Sequence, residues 1–373
     1  MGTRFTFQTA GTIHFGVDSL GLLKQEAGRL GRKALIVASR SALAERTMLE
    51  AVARLCREGG TETVVFDAPP AGEPDLDSVD RARRVRAASG CDLLIALGGG
   101  STIDLAKAAA GLANEPAPVR EYFEGRAVTA AGVPWIALPG TAGSGAEVTK
   151  NAVLTDPATN IKQSIRADSF FAAVVIVDPR LTLSCPPRVT ADSGADALAQ
   201  AIESYTSLGA NPLTDALAFE AARLILGSLP AAHRDGANLP ARSDMALGSL
   251  LAGIALANAR LGTIHGLAHP IGARWRIPHG RICATLLASV MRFNEPVVAE
   301  KYARLSALVG RPIIEHVERL RDELDIPADL KACRMTPDEI EWVIRESLPS
   351  GSLKMNPRLT TADDLRAILA PLV

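Results

Sequence analysis

The chain has 373 residues, enough for one large or two medium domains at about 150 residues each. Hydrophobic residues make up 47% and charged residues 22%, a globular balance that excludes wholesale disorder. Forty Lys and Arg face 41 Asp and Glu, and aromatics are only 4%, so neither a grip on nucleic-acid phosphates nor a membrane-interface belt has a source.

The polar start Met1-Gly2-Thr3-Arg4 carries no signal-peptide apolar region, which predicts a cytoplasmic protein. Short apolar runs at 34–38, 63–66, 93–97 and 135–138 read as buried strands, and the charged, Ala-rich segments between them read as amphipathic helices. That alternation predicts an α/β domain with a doubly wound, mainly parallel sheet. After the run at 174–177 and Asp178-Pro179 the strand signal fades. Ala- and Leu-rich stretches of helical length follow at 215–227, 244–259 and 300–309. The predicted organisation is therefore an α/β domain over residues 1–180 and an all-helical domain over 181–373. The longest uncharged stretch of helical character, 245–259, is shorter than the roughly 20 residues a membrane span needs and reads as a buried core helix. Five cysteines (Cys56, Cys91, Cys185, Cys283, Cys333) are odd in number and lack CxxC spacing; they read as reduced thiols and receive no role.

The strand at 93–97 runs into Gly98-Gly99-Gly100-Ser101-Thr102-Ile103-Asp104 and then a helix. Glycines let a ligand approach the backbone, and the free amides of a new helix favour an anion, so this turn is predicted to hold a pyrophosphate. A second glycine-rich turn spans Pro139 to Glu147, where Thr141 and Ser144 can donate to phosphate or ribose or cap the backbone. Both turns follow strands of one sheet and so lie at its carboxyl edge, where open α/β folds bind ligands. The strand at 34–38 ends in Ser39-Arg40. No carboxylate stands there to repel a 2′-phosphate and an Arg can pair with one, so NADP as well as NAD is expected to bind.

Three of six histidines fall in one segment: His265, His269 and His279. His265 and His269 are four apart and share a helical face, as do Asp196 and Gln200 upstream. Asp196, His265 and His279 would give a divalent ion one carboxylate and two imidazoles, with the amide of Gln200 as a weaker, neutral donor.

Together GGGSTIDLAK at 98–107, PGTAGSGAEVT at 139–149, VDP at 177–179, DALAQAIESY at 196–205 and HGLAHPIGARWRIPHG at 265–280 resemble the iron-containing (group III) alcohol dehydrogenase family. The resemblance runs from FGVDSLGLL near residue 15 to NPR at 356–358. It implies an amino-terminal dinucleotide domain, a carboxyl-terminal helical domain with a catalytic cleft between them, and homodimers or larger assemblies. In the family an Asp and three His hold iron or another divalent ion, which polarises the alcohol or carbonyl oxygen. Asp196, His265 and His279 match three of these ligands, and Gln200 occupies the position of the remaining His. His269 matches the family histidine near the nicotinamide that relays protons. Gly140 replaces the first Thr of the family's TTxGTGSE turn and Ala146 its Ser, while Thr141 and Glu147 remain.

These readings predict an NAD(P)-dependent oxidoreductase that interconverts an aldehyde or ketone and an alcohol by hydride transfer. Gly98, Gly99, Gly100, Ser101 and Asp104 form the expected cofactor turn, with Ser39 and Arg40 at the adenosine end, Ser144 as a donor to phosphate or ribose, and Thr141 and Thr149 toward the nicotinamide. Asp196, Gln200, His265 and His279 surround the reacting oxygen, with Fe2+, Zn2+ or no metal. The family also contains metal-independent maleylacetate reductases. A doubly anionic substrate of that kind would call on Arg260, Arg274, Arg276 and Arg281 near the histidine segment. A noncatalytic dinucleotide-binding protein is the reading from another class, and the survival of all three histidines argues against it.

Overall fold

Parallel strands buried on both faces must be apolar throughout, and the runs met in the sequence obey that rule. The computed structural model describes residues 4–66, 73–159 and 161–373; the Met1-Gly2-Thr3 start lies outside them. Strands β1 (Thr12–Phe15), β2 (Lys33–Ala38), β3 (Glu62–Phe66), β4 (Leu93–Gly98), β5 (Trp135–Pro139) and β8 (Val174–Val177) form one six-stranded sheet in the order β1-β8-β5-β4-β2-β3. Every pairing in it is parallel. Helices α1 (Leu23–Leu30), α2 (Arg40–Glu45), α3 (Thr47–Glu58), α4 (Leu76–Ser89), α5 (Gly100–Gly111) and α6 (Val119–Phe123) connect the strands. A hairpin, β6 (Asn151–Asp156) with β7 (Ile161–Arg166), pairs antiparallel outside the main sheet. It escapes a reading of the sequence because β7 buries only Ile165, leaves its other residues exposed or half-buried, and shows no apolar run.

The remaining elements are helical: α7 (Pro187–Thr206), α8 (Pro212–Arg234), α9 (Leu239–Ala259), α10 (Thr263–Trp275), α11 (His279–Val309), α12 (Ile313–Glu323), α13 (Pro337–Ser347) and α14 (Ala362–Leu369). Small buried residues on α7 (Ala197, Ala201) and α8 (Ala218, Ala221, Ala222) allow close helix packing around Leu198, Ile225, Leu267 and Ile282. By length and composition α11 could cross a membrane. Its first turns are instead packed in this core, where Ile282, Cys283, Leu286 and Val290 are buried.

The described chain divides into two compact units. One comprises Thr9–Thr141 and Ala146–Ser184 and holds the sheet. The other comprises Ala142–Gly145 and Cys185–Val373, with the segment that ends at Gln8. The second glycine-rich turn is thus shared, because Ala142–Gly145 pack into the helical unit. A Cβ added at Gly143 would lie 2.6 Å from the Ser193 Cβ, and one at Gly145 would lie 2.4 Å from the Gly253 Cα. These glycines serve close backbone approach to α7 and α9.

Candidate active site

In the sheet unit the ends of β2, β4 and β5 meet. Gly98 ends β4 with φ 152°, a conformation L side chains rarely adopt, and an added Cβ would lie 2.8 Å from both the Ser39 Cβ and the Thr102 Oγ1. Gly99 is the N-cap of α5 and has no side chain to cap with, so the first-turn amides, including those of Gly100 and Ser101, are left for a ligand. Thr141 stands beside them, its Oγ1 3.1 Å from a Cβ position on Gly99. Ser39 Oγ accepts from the Ala42 amide (3.2 Å) and caps α2, while Arg40 is exposed at the start of that helix. The structure therefore gathers Ser39, Gly98, Gly99 and Thr141, with Gly100 and Ser101 adjoining. Ser144, half-buried, groups with the helical unit.

Two expected cofactor residues face inward instead. Asp104 Oδ1 accepts from Lys107 Nζ (3.0 Å) and Oδ2 from the Val153 amide (3.1 Å). Thr149 Oγ1 accepts from the same ammonium at 2.9 Å. Lys107 is fully buried and also donates to the Asn151 carbonyl at 2.6 Å, so this cluster ties α5 to the strand β6. Burial pushes the nearby Glu147 carboxyl up to about 7, with Asp104 adding to the rise and Lys107 opposing it.

The second constellation lies wholly in the helical unit. Asp196 sits in the middle of α7 rather than at a helix start, and Gln200 one turn on donates its Nε2 to Asp196 Oδ2 at 3.0 Å. His265 lies in the first turn of α10 and His279 opens α11. Asp196 Oδ1 is 3.4 Å from His265 Nε2 and 3.8 Å from His279 Nε2. What allows this is Gly280: a Cβ there would stand 1.9 Å from the Asp192 carbonyl oxygen, so only glycine lets α11 approach α7 this closely. His269 adds a third ring, its centroid 5.3 Å from that of His279 and nearly perpendicular to it.

Two residues to which the sequence assigns no role complete the site. Glu203, at i+7 from Asp196 and so on the same face of α7, accepts from His265 Nδ1 through Oε2 (2.6 Å) and from the Ile264 amide through Oε1 (2.7 Å). Holding the proton on Nδ1 turns the lone pair of Nε2 toward Asp196, the tautomer that metal-binding imidazoles adopt. Cys283, four residues after His279, brings Sγ within 3.7 Å of His279 Nε2 and 3.9 Å of His265 Nε2. Asp196, His265, His279 and Cys283 each offer one donor atom within 4.8 Å of the others.

The electrostatics ask for positive charge at this point. Burial disfavours the His265 imidazolium, but Cys283, Asp196 and Glu203 around it outweigh burial and hold its pKa well above the usual range. Burial likewise raises the Asp196 carboxyl, and the two imidazoles outweigh that and hold it low. Asp196 Oδ1 and Gln200 Oε1 are both buried without a hydrogen-bond partner among the described residues, an unusual cost inside a protein. A divalent cation among these donors satisfies the orphan oxygen and supplies the missing charge, so the residues present fit a metal.

The arginines that a dicarboxylate substrate would use are paired or exposed. Arg281 is paired with Asp192 (2.6 Å) and Arg274 with Glu339 (2.9 Å), while Arg260, Arg274 and Arg276 are exposed.

Residues 10–179 match the model of the family described as iron-containing alcohol dehydrogenase, and residues 190–373 match its C-terminal domain model. The chain is 36% identical to a long-chain-alcohol dehydrogenase of Geobacillus thermodenitrificans over 95% of its length and 93% of that protein's. It is 32% identical to a 1,3-propanediol dehydrogenase of Klebsiella pneumoniae, covering 98% of this chain and 97% of that one. The crystal structure of a sulfoacetaldehyde reductase from Bifidobacterium kashiwanohense in complex with NAD+ superposes with a TM-score of 0.91 at 30% identity, over 100% of this chain and 99% of that one.

Proposed function

Because the chain belongs to the iron-containing alcohol dehydrogenase family and is an oxidoreductase that interconverts an aldehyde or ketone and an alcohol with a nicotinamide dinucleotide, we propose roles for its residues in that reaction. The convergence of Asp196, His265 and His279 from three helices carries the assignment of the reacting centre. These three residues would hold a divalent metal, which when bound would supply Lewis-acid polarisation of the substrate oxygen, and Gln200 adjoins them through its bond to Asp196. Glu203 fixes the His265 ring so that Nε2 faces the site.

Oxidation of an alcohol sends a hydride from carbon to the nicotinamide and releases the hydroxyl proton. His265 is buried, whereas His279 and His269 are half-buried, and the ring centroids step by 5.3 Å from His265 to His279 and again to His269. That line supports His269 as the relay that takes the proton outward and, in the reducing direction, returns it. In the sheet unit the amides of Gly99, Gly100 and Ser101 would hold the pyrophosphate, with Thr141 toward the nicotinamide. Asp104 and Thr149 shape this region from behind through Lys107.

Ser39-Arg40 at the end of β2 supports acceptance of NADP beside NAD. The named relatives act on alcohols or aldehydes and none is named for a dicarboxylate, which supports an aldehyde or ketone without a second carboxylate as substrate. A cytoplasmic homodimer or larger homo-oligomer is the expected form.

The experiment is His279→Ala. Turnover should fall by at least about a hundredfold, as for loss of a group at the reacting centre, while the dissociation constant for the dinucleotide stays within about twofold. Near-full turnover would remove His279 from the site.

A further inference from the structure

We propose that Cys283 is the fourth protein ligand of the metal centre, making it an Asp/His/His/Cys site, and that Gln200 is not a ligand but positions Asp196. The inference rests on the metal-site reading above and extends it to a residue that neither spacing nor resemblance assigns.

A tetrahedral ion with bonds of about 2.0–2.3 Å places its ligand atoms about 3.3–3.8 Å apart. The observed edges are 3.4 Å (Asp196 Oδ1 to His265 Nε2), 3.8 Å (Asp196 Oδ1 to His279 Nε2), 3.7 Å (Cys283 Sγ to His279 Nε2) and 3.9 Å (Cys283 Sγ to His265 Nε2). Sulfur bonds are the longest of the set, and the two edges to Sγ lie close to the upper end of the range, one within it and one about 0.1 Å beyond. The two remaining pairs lie within 4.8 Å. Four donors from α7, α10 and α11 are thus gathered within reach of one ion, with four of their six edges at coordination spacing.

The chemistry of the neighbours agrees. Gln200 presents its amide nitrogen, not its oxygen, to Asp196, and this bond to Oδ2 leaves Oδ1 directed at the imidazoles. The Gln200 side chain therefore acts through Asp196. The Cys283 thiol is fully buried between two imidazole nitrogens. A thiol that coordinates a divalent ion deprotonates outright, and thiolate favours zinc over ferrous iron among common ions. A centre with one sulfur in place of a third imidazole should therefore select zinc more strongly than an all-oxygen-and-nitrogen set. Four protein ligands would still admit the substrate oxygen, because catalytic zinc can expand to five ligands.

The test uses the full-length protein stripped of metal and titrated with cobalt(II), whose visible bands report four- or five-coordination and whose near-ultraviolet band reports a sulfur ligand. Wild type should bind one equivalent and show both bands. Gln200→Ala should keep the sulfur band. Cys283→Ala should lose it and bind cobalt at least about tenfold more weakly. Wild-type cobalt protein with visible bands but no sulfur band would overturn the Cys283 ligand and leave the three-residue metal site standing. No cobalt binding in wild type would overturn both readings. The wild-type spectrum alone decides the sulfur ligand, whether or not either variant folds. Direct competition should favour zinc over ferrous iron by at least about tenfold, and equal or reversed preference would overturn the selectivity.

Discussion

The same substitution, glycine to alanine inside a helix, should have opposite effects at two positions in this chain. At Gly280, the second residue of α11, the new Cβ would stand 1.9 Å from the Asp192 oxygen, 2.7 Å from its carbonyl carbon and 3.1 Å from the Asp196 Cβ. Ordinary contact needs at least 3.4 Å, so the two backbones must part by about 1.5 Å, and neither obstacle is a flexible side-chain tip. Alanine gains up to about 1 kcal/mol of helix propensity, while forced repacking of this kind costs about 1–3 kcal/mol or more. The net expectation for Gly280→Ala is a loss of about 1–2 kcal/mol. Because Gly280 directly follows His279, the same displacement moves that ring away from Asp196, and an error of about 1 Å at a reacting centre can cost about a hundredfold in turnover. At Gly227 in α8 nothing lies within 4 Å of an added Cβ, so Gly227→Ala should gain up to about 1 kcal/mol with turnover unchanged. Urea unfolding and steady-state assays on the pair provide the check. A Gly280→Ala protein as stable and active as wild type would refute the claim that this glycine sets the spacing of α7 and α11.

Glu147 supplies a pH-dependent prediction: its carboxyl stands at about 7 against 4.5 for an ordinary glutamate, so folding favours its protonated form. The stability it contributes is complete below pH 4.5 and is lost as pH rises through about 7, up to about 3 kcal/mol in all. Glu147→Gln should lack this decline, so the stability difference between variant and wild type should grow from pH 5 to pH 8; a constant difference across that range refutes the burial account. Glu203→Ala should weaken metal binding by about 10–100-fold through loss of the His265 orientation, with dinucleotide affinity unchanged, and full metal affinity would dismiss Glu203 as a positioning residue. Arg40→Ala should weaken NADPH binding by about tenfold while leaving NADH within about twofold, the signature of an arginine paired with a 2′-phosphate; equal effects on both would reduce Arg40 to a solvated side chain.

The parallel sheet is legible in the sequence because each strand is buried on both faces and so announces itself as a continuous apolar run, as at 93–97. The hairpin strand β7 buries one residue, Ile165, and announces nothing. The glycine-rich turns are legible as turns, but not in purpose. Gly98 is required by its positive φ beside Ser39, whereas Gly143 and Gly145 are required by helix backbones more than forty residues away, a proximity no local pattern records. Asp104 and Thr149 show the same limit: both sit in motifs whose neighbours adjoin the expected ligand, and no motif records that both bond to the buried Lys107.

The candidate site divides along a similar line. Residues at helical spacing on one segment, such as His265 with His269 or Asp196 with Gln200, declare a shared face. Which faces confront one another is decided by three helices and one glycine. Spacing alone would have allowed two further inferences: Glu203 continues the Asp196 face at i+7, and Cys283 continues the His279 face at i+4. Nothing in the sequence sets these apart from other polar or sulfur positions on amphipathic helices until Gly280 brings α11 against α7. The departure at Gln200 then takes on a different meaning. Read along the chain it is a lost imidazole. In the fold it comes with a thiol one turn beyond His279, and the donor missing from α7 is supplied by α11. A substitution in a ligand set is therefore to be judged against every side chain within coordination distance of the vacated position, because the polyhedron is a property of the packed helices rather than of the motif.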